Sequence, residues 1–297
     1  MVADTLSILS LTNHLVLKGV ILLSTANFIK GIIGDGYLTE IILTAFTRQI
    51  GISPNDTYVL ASTSGRCQEL LEQFNVHAVQ NSMVFVPPAK MIILAVEPND
   101  AREIMRQIAN KVSNDVLIIS VVQGLKLREI EGYFPDKKVI RMIINPWVIS
   151  GHGVSTYIVG KNCSEEAGNI ARALLTSLGE MVEVDSEEEL DIVGELILSE
   201  TVYTFLTFKA LMDSGKKAGL SLEKSREIVM KILASSTKAI SSSDDLTDSV
   251  IQRSYSQSDY IDKGKELLDK YNIMTNFKKS FEEPLEAKDI YKFRYRW

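Results

Sequence analysis

The feature that most narrows the fold is a switch of pattern near residue 34. The apolar run Phe28–Ile33 stops at Gly34-Asp35-Gly36, and Leu38–Thr47 then carries apolar residues at helical spacing. A strand, a tight glycine turn and a helix in direct succession open a βαβ unit. Glycine suits both turn positions, because a Cβ would obstruct either the turn or the close approach of a phosphate. The free N–H groups and positive end of the following helix then attract an anion. Thr39 takes the third small position, and Asp35 is expected to face solvent, since a carboxylate turned inward would oppose an anion. A lone glycine turn is a weak signal; its meaning depends on what surrounds it.

The surroundings repeat the theme. Tyr58–Ala61, Met91–Val96, Val116–Val122 and Lys138–Ile144 read as strands, Met91–Val96 almost wholly apolar as a strand buried on both faces should be. Cys67–Phe74, Asp100–Val112 and Leu127–Tyr133 read as the helices between them. Val154–Val159 and Met181–Val184, with a helix over Ser164–Leu178, extend the same sheet. Alternation of this kind gives an α/β fold with a doubly wound, parallel sheet. In that context the glycine turn is the phosphate-binding turn of a dinucleotide site.

After Ser186 strand-like runs cease. Glu187–Ala218, Leu222–Ser236 and Asp259–Tyr271 are helical in spacing, broken by the Ser/Asp-rich Ser241–Asp248. The expected organisation is an N-terminal extension over 1–27, an NAD(P)-binding domain over 28–186, an all-α domain over 187–282 and a tail over 283–297.

The end of the second strand selects between the nicotinamide cofactors. An acid there bonds the ribose 2′-hydroxyl, whereas hydroxyls and an arginine accommodate a 2′-phosphate. Here the segment is Ser62-Thr63-Ser64-Gly65-Arg66 without an acid. NADP(H) is therefore expected, with Arg66 as charge partner and NAD the other possibility. The plainer reading is a polar turn with a surface arginine.

Composition removes other classes. A net charge of -6 and no Lys/Arg run argue against nucleic acid as a partner. Cys67 and Cys163 lack CxxC or histidine companions, so neither a disulfide framework nor a zinc site is expected, and a reducing, cytoplasmic setting fits. His14, His77 and His152 are too scattered for a metal cluster. Leu6–Leu23 is rich in Leu, Ile and Val but interrupted by Asn13, His14 and Lys18, so its longest apolar runs are only a few residues, well short of the roughly 20 a membrane span needs. It is read as an extension lying on the folded body, without the marks of a signal peptide.

Several motifs, in order, resemble the pyrroline-5-carboxylate reductase family over about Gly31 to Leu220. They are Gly31-Ile-Ile-Gly34-Asp-Gly36-Tyr-Leu-Thr-Glu40, Leu94-Ala95-Val96-Glu97-Pro98, Ile119-Ser120-Val-Val-Gln-Gly124-Leu125, Arg141 followed by Asn145, Leu175–Val184 and Lys217-Ala-Gly219-Leu220. The resemblance implies a Rossmann domain followed by a helical domain that pairs subunits into a homodimer or higher homo-oligomer. It implies hydride transfer from NAD(P)H to the C=N bond of a cyclic imine carboxylate, a small-molecule substrate. By the same resemblance Gly34, Gly36, Tyr37 and Leu38 line the pyrophosphate, and Ser62, Thr63 and Arg66 meet the 2′-phosphate. Ala95, Val96, Gly124 and Asn145 surround the ribose and nicotinamide, with Asn81 on the adenosine side.

The departures gather on the substrate side. The family's Asn-Thr-Pro is Asn145-Pro146-Trp147 here, and its Ser-Gly-Ser-Gly-Pro-Ala-Tyr is Ile197-Leu198-Ser199-Glu200-Thr201-Val202-Tyr203. The Ser-Pro-Gly-Gly-Thr-Thr loop has no counterpart in Val250–Ser258. Glu200 adds a like charge near the expected carboxylate. Arg253, Ser254 and Ser256 read first as a polar helix face and second as a replacement carboxylate contact. Tyr203 is either a proton donor or a core aromatic, and His152 a solvated loop histidine or a site residue. Three functions follow from this balance: a reductase of the C=N or C=O bond of a small carboxylate with an altered substrate side, an NADP-binding, oligomerising protein without reductase activity, or the proline-forming enzyme itself with a rebuilt site. No catalytic residue is assigned.

Overall fold

The computed structural model describes residues 29–47, 51–241 and 259–286. The extension over 1–27, the residues Arg253, Ser254 and Ser256, and the tail beyond Glu286 lie outside them. The described residues divide into two compact units, with the division between Leu198 and Ser199.

The first unit is built on strands β1 (Lys30–Ile33), β2 (Thr57–Leu60), β3 (His77–Val79), β4 (Met91–Leu94), β5 (Leu117–Ser120), β6 (Lys138–Ile144), β7 (Gly153–Val159) and β8 (Gly179–Glu183). They form one sheet in the order β3-β2-β1-β4-β5-β6-β7-β8. The chain thus starts in the middle, winds outward through β2 and β3, then returns to β4 on the other side of β1. All neighbours are parallel except β6 and β7, which run antiparallel. The exception has a simple cause. Only the short 3-10 turn Pro146–Ser150 joins β6 to β7, and a parallel crossover needs a dozen residues or more.

The joining helices are α1 (Tyr37–Ala45), α2 (Ser64–Phe74), α3 (Pro98–Ile108), α4 (Leu127–Tyr133) and α5 (Glu165–Leu178). They cover both faces of the sheet, and the strands show it by alternation. Ile32, Ile93, Ile119 and Ile140 pack with Ile41 and Ile42 of α1, Leu70 of α2 and Leu174 of α5. Their neighbours Ile33, Ile92, Ile118 and Val139 pack with Met105 and Ile108 of α3 and Ile130 of α4. Successive side chains on a strand point to opposite faces, so strands of a sheet covered on both sides are apolar at most positions.

Local chemistry sets the helix starts. The Thr63 side chain accepts from the Arg66 N–H, which begins α2 three residues before Cys67. Pro98 stands in the first turn of α3, where its missing N–H costs nothing. Ser164 caps α5 by accepting from the Ala167 N–H.

The remaining helices are α6 (Glu187–Lys217), α7 (Leu222–Ser241), α8 (Asp259–Lys270) and α9 (Ile273–Glu286). In the second unit Tyr203, Phe277 and Phe281 form an aromatic cluster, with Tyr203 and Phe281 ring centres 4.2 Å apart. Among the described residues no helix is long and apolar enough to cross a membrane, and no group of His, Cys, Asp and Glu could hold a metal ion.

Candidate functional site

The strand order places the site. Between β1 and β4 the crossovers leave the sheet in opposite directions, and a crevice opens at the carboxyl ends of the strands at such a point. Gly34 follows β1 there, Ala95 follows β4, Ser62 lies just past β2, and Gly124 follows β5.

The two turn glycines do different work. Gly34 has φ +129, and a Cβ on it would lie 2.2 Å from the Ala95 carbonyl oxygen. It is required by the fold itself, because β1 and β4 touch there. The Ala95 N–H donates to the Ile33 carbonyl at 2.9 Å, and the Thr39 hydroxyl donates to the Gly34 carbonyl at 2.9 Å. Thr39 is buried, so the turn is tied to α1 from inside. Gly36 has an ordinary φ of -82, and a Cβ on it would meet nothing within 4 Å. No side chain caps α1. The start of that helix therefore opens onto free space, the arrangement an incoming phosphate needs.

At the end of β2 the sequence reading needs correction. Asp35 lies at an exposed rim, yet its carboxylate is not left to solvent: it accepts from the Ser62 N–H at 2.7 Å and from the Ser62 hydroxyl at 2.6 Å. Arg66 is also engaged. Its Nε donates to the Asp35 carbonyl at 2.9 Å, one terminal nitrogen pairs with Glu69 at 2.8 Å, and the other pairs with Glu40. Hydrogen bonds donated to Glu69 and then Glu40 hold the guanidinium more firmly in its charged form. Ser62, Thr63 and Arg66 thus lie together at the end of β2. Asp35 and Glu40, which sequence reasoning did not include, join them.

The other expected residues occupy the same edge. Tyr37 is 60% exposed at the start of α1, and Leu38 packs partly on the core. Asn81 accepts from the Met83 N–H at 3.0 Å just after β3. Val96 is half-buried beside Gly34, and Gly124 adopts φ +72. Asn145 is buried, with both ends of its amide in use. Its Oδ1 accepts from the Trp147 N–H at 2.7 Å, and its Nδ2 donates to the Ile197 carbonyl at 2.9 Å. Asn145 thus ties β6 to the first turns of α6.

Arg141 strengthens that tie. Fully buried in β6, it reaches Glu187 at 3.0 Å and Asp191 at 2.7 Å. Lys126 also pairs with Asp191. Further along α6, burial and then the charge of Asp191 push the Glu195 carboxyl above its usual range. Acids in the first turns of α6 are visible in the sequence, but nothing local to them indicates an arginine some 50 residues earlier. His152 is exposed, as expected of a loop histidine. Trp147 is 37% exposed, so the indole does not fill an enclosed pocket. The Tyr203 hydroxyl donates to the Ser280 carbonyl at 3.2 Å within its aromatic cluster, which is the core role.

Comparison with known proteins agrees with this geometry. Residues 30–124 match the family model described as NADP oxidoreductase, coenzyme F420-dependent. Pyrroline-5-carboxylate reductase of Arabidopsis thaliana is 27% identical over 66% of this chain and 71% of its own length. Pyrroline-5-carboxylate reductase 2 of Bacillus subtilis is 28% identical over 70% of this chain and 74% of its own. Among solved structures, the Plasmodium falciparum pyrroline carboxylate reductase with NADP bound superposes with a TM-score of 0.77 at 20% identity, covering 88% of this chain and 96% of that one. Over about two thirds of its length the chain is similar to pyrroline-5-carboxylate reductases, and it shares their fold. The Streptococcus pyogenes enzyme, with a TM-score of 0.75 at 20% identity over 88% of this chain and 98% of that one, shares the same fold.

Proposed function

We propose that this protein is an NAD(P)H-dependent reductase that delivers hydride to the C=N bond of a small cyclic imine carboxylate, with NADP(H) as the preferred cofactor. The observation that carries the reading is the open start of α1 at Gly36, set where β1 and β4 part. A dinucleotide fits this chain's own residues. Gly34, Gly36, Tyr37 and Leu38 would hold the pyrophosphate; Ser62, Thr63 and Arg66 would meet the 2′-phosphate. Ala95, Val96 and Gly124 would shape the ribose and nicotinamide end, with Asn81 on the adenosine side. Asn145 would act by position, since its amide is committed to Trp147 and Ile197. The cofactor supplies the hydride; the protein binds it, orients it and excludes water.

A homodimer or higher homo-oligomer fits the helical part, where Val202, Phe205, Leu206, Met230, Leu267 and Met274 are each about half exposed or more. A second reading is an NADP-binding, oligomeric protein without reductase activity. It is favoured by Tyr203, which keeps its place from the family motif but spends its hydroxyl on Ser280.

The deciding experiment titrates the purified protein with NADPH and NADH, then follows loss of reduced nicotinamide absorbance with pyrroline-5-carboxylate. Binding with turnover supports the reductase. Tight binding without turnover on any imine leaves the second reading, and no binding of either nucleotide removes both.

A further inference from the structure

At the end of β2 carboxylates gather around the residues expected to meet a 2′-phosphate. Among the described residues, Asp35, Glu40 and Glu69 meet there around Arg66, three carboxylates to one guanidinium. The two donors best placed for a phosphate, the N–H and the hydroxyl of Ser62, both point at the Asp35 carboxylate. An oxyanion is therefore already seated on Ser62, and it comes from the chain itself.

We propose that Asp35 is a residue that sets cofactor selectivity, by occupying the Ser62 donors against a 2′-phosphate. The proposal rests on the dinucleotide reading above and adds a determinant that lies inside the glycine turn. A phosphate carries between about -1.5 and -2 charges at neutral pH, so beside Asp35 it meets both repulsion and competition for donors. A ribose 2′-hydroxyl meets neither. It can donate to the carboxylate where the carboxylate stands, as an acid at the end of the second strand does in NAD sites. Asp35 therefore weighs for NADH and against NADPH, opposing Arg66. Arg66 in turn reaches the 2′-phosphate only as far as Glu40 and Glu69 release it.

The neutral isostere Asp35→Asn keeps an acceptor for Ser62 and removes the charge. The test compares the full chain and this variant by calorimetric titration with adenosine 2′,5′-bisphosphate and with adenosine 5′-monophosphate, fragments that isolate the 2′-phosphate from the nicotinamide end. NADPH and NADH are titrated in parallel. The variant is expected to bind the bisphosphate and NADPH about tenfold tighter, a gain of about 1.4 kcal/mol, and the monophosphate and NADH no tighter than before. The wild-type handicap should shrink as salt is raised, because both groups are exposed. If the dinucleotides bind but the variant leaves the bisphosphate unchanged or weaker, the role of Asp35 is overturned while the dinucleotide reading stands. If neither protein binds any dinucleotide, both are overturned together.

Discussion

Arg141 holds Asp191 at 2.7 Å from within the sheet, its own side chain wholly removed from solvent. Glu187 lies 3.0 Å from the same guanidinium. Removing one member of a buried pair leaves the remaining charge uncompensated, at a cost of about 3–5 kcal/mol. Arg141→Met is expected to lose about 3 kcal/mol, near the lower end because Lys126 still serves Asp191. Urea unfolding measures it, and a loss under about 1 kcal/mol would show the pairs to be incidental.

The two turn glycines should separate folding from binding. Gly34→Ala places a Cβ against the Ala95 carbonyl in a backbone region that L-residues avoid, and is expected to cost about 2 kcal/mol or more. A Cβ at Gly36 meets no protein atom within 4 Å, so the melting temperature of Gly36→Val should stay close to wild type while NADPH binding weakens at least about tenfold, or about 1.4 kcal/mol. Normal NADPH affinity in Gly36→Val would remove the phosphate from the start of α1.

Arg66 is expected to matter more for one cofactor than the other. Arg66→Ala should weaken NADPH by about tenfold beyond any change in NADH, since only the former carries the 2′-phosphate an arginine can grip. Equal effects on the two Kd values would reduce Arg66 to a tie between α2 and the Asp35 carbonyl.

Asp115 offers a check by pH. Lys90 and then Ser113 hold its carboxyl down at about 2, from an ordinary 3.8. A lowered carboxyl favours the folded state above the ordinary value, and that contribution disappears as pH falls through about 2. Carbon-detected NMR titration should find a midpoint near 2, returning toward 3.8 in Lys90→Met. A wild-type midpoint already near 3.8 would mean that the Lys90 contact, 2.6 Å long here, is not kept in solution.

Cys163 should be a slow thiol. Burial pushes its pKa up, and the thiol donates to the Val139 carbonyl at 3.1 Å. Reaction with a disulfide reagent at mildly alkaline pH is expected to be at least about tenfold slower than for an open cysteine, because the thiolate is the reacting form. Labelling of Cys163 at the open-cysteine rate would contradict its burial.

Most of the sheet was readable because buried parallel strands are nearly continuous apolar runs, as in Met91–Leu94 and Leu117–Ile119. His77–Val79 was not. It has three residues, begins with an exposed histidine and sits at the sheet edge, where only one neighbour imposes a pattern. The glycine turn was readable for a similar reason, since strand, turn and helix are contiguous. The direction of Asp35 was not, because its partner Ser62 stands 27 residues on and is delivered by the pairing of β1 with β2. Arg66 shows both cases at once: Glu69 is its neighbour along α2, whereas Glu40 arrives from α1.

The division between the compact units falls within α6, a helix without interruption from Glu187 to Lys217. The visible change in residue pattern comes earlier, at Ser186. A fragment ended there would keep Arg141 but discard both its carboxylates, along with the Ile197 carbonyl that Asn145 holds. One ended at Leu198 carries all three. For anyone recombining relatives, the helix is therefore inherited in two parts. The stretch from Glu187 to Leu198 travels with the sheet, and a splice made at the edge of the strand pattern would exchange the wrong piece.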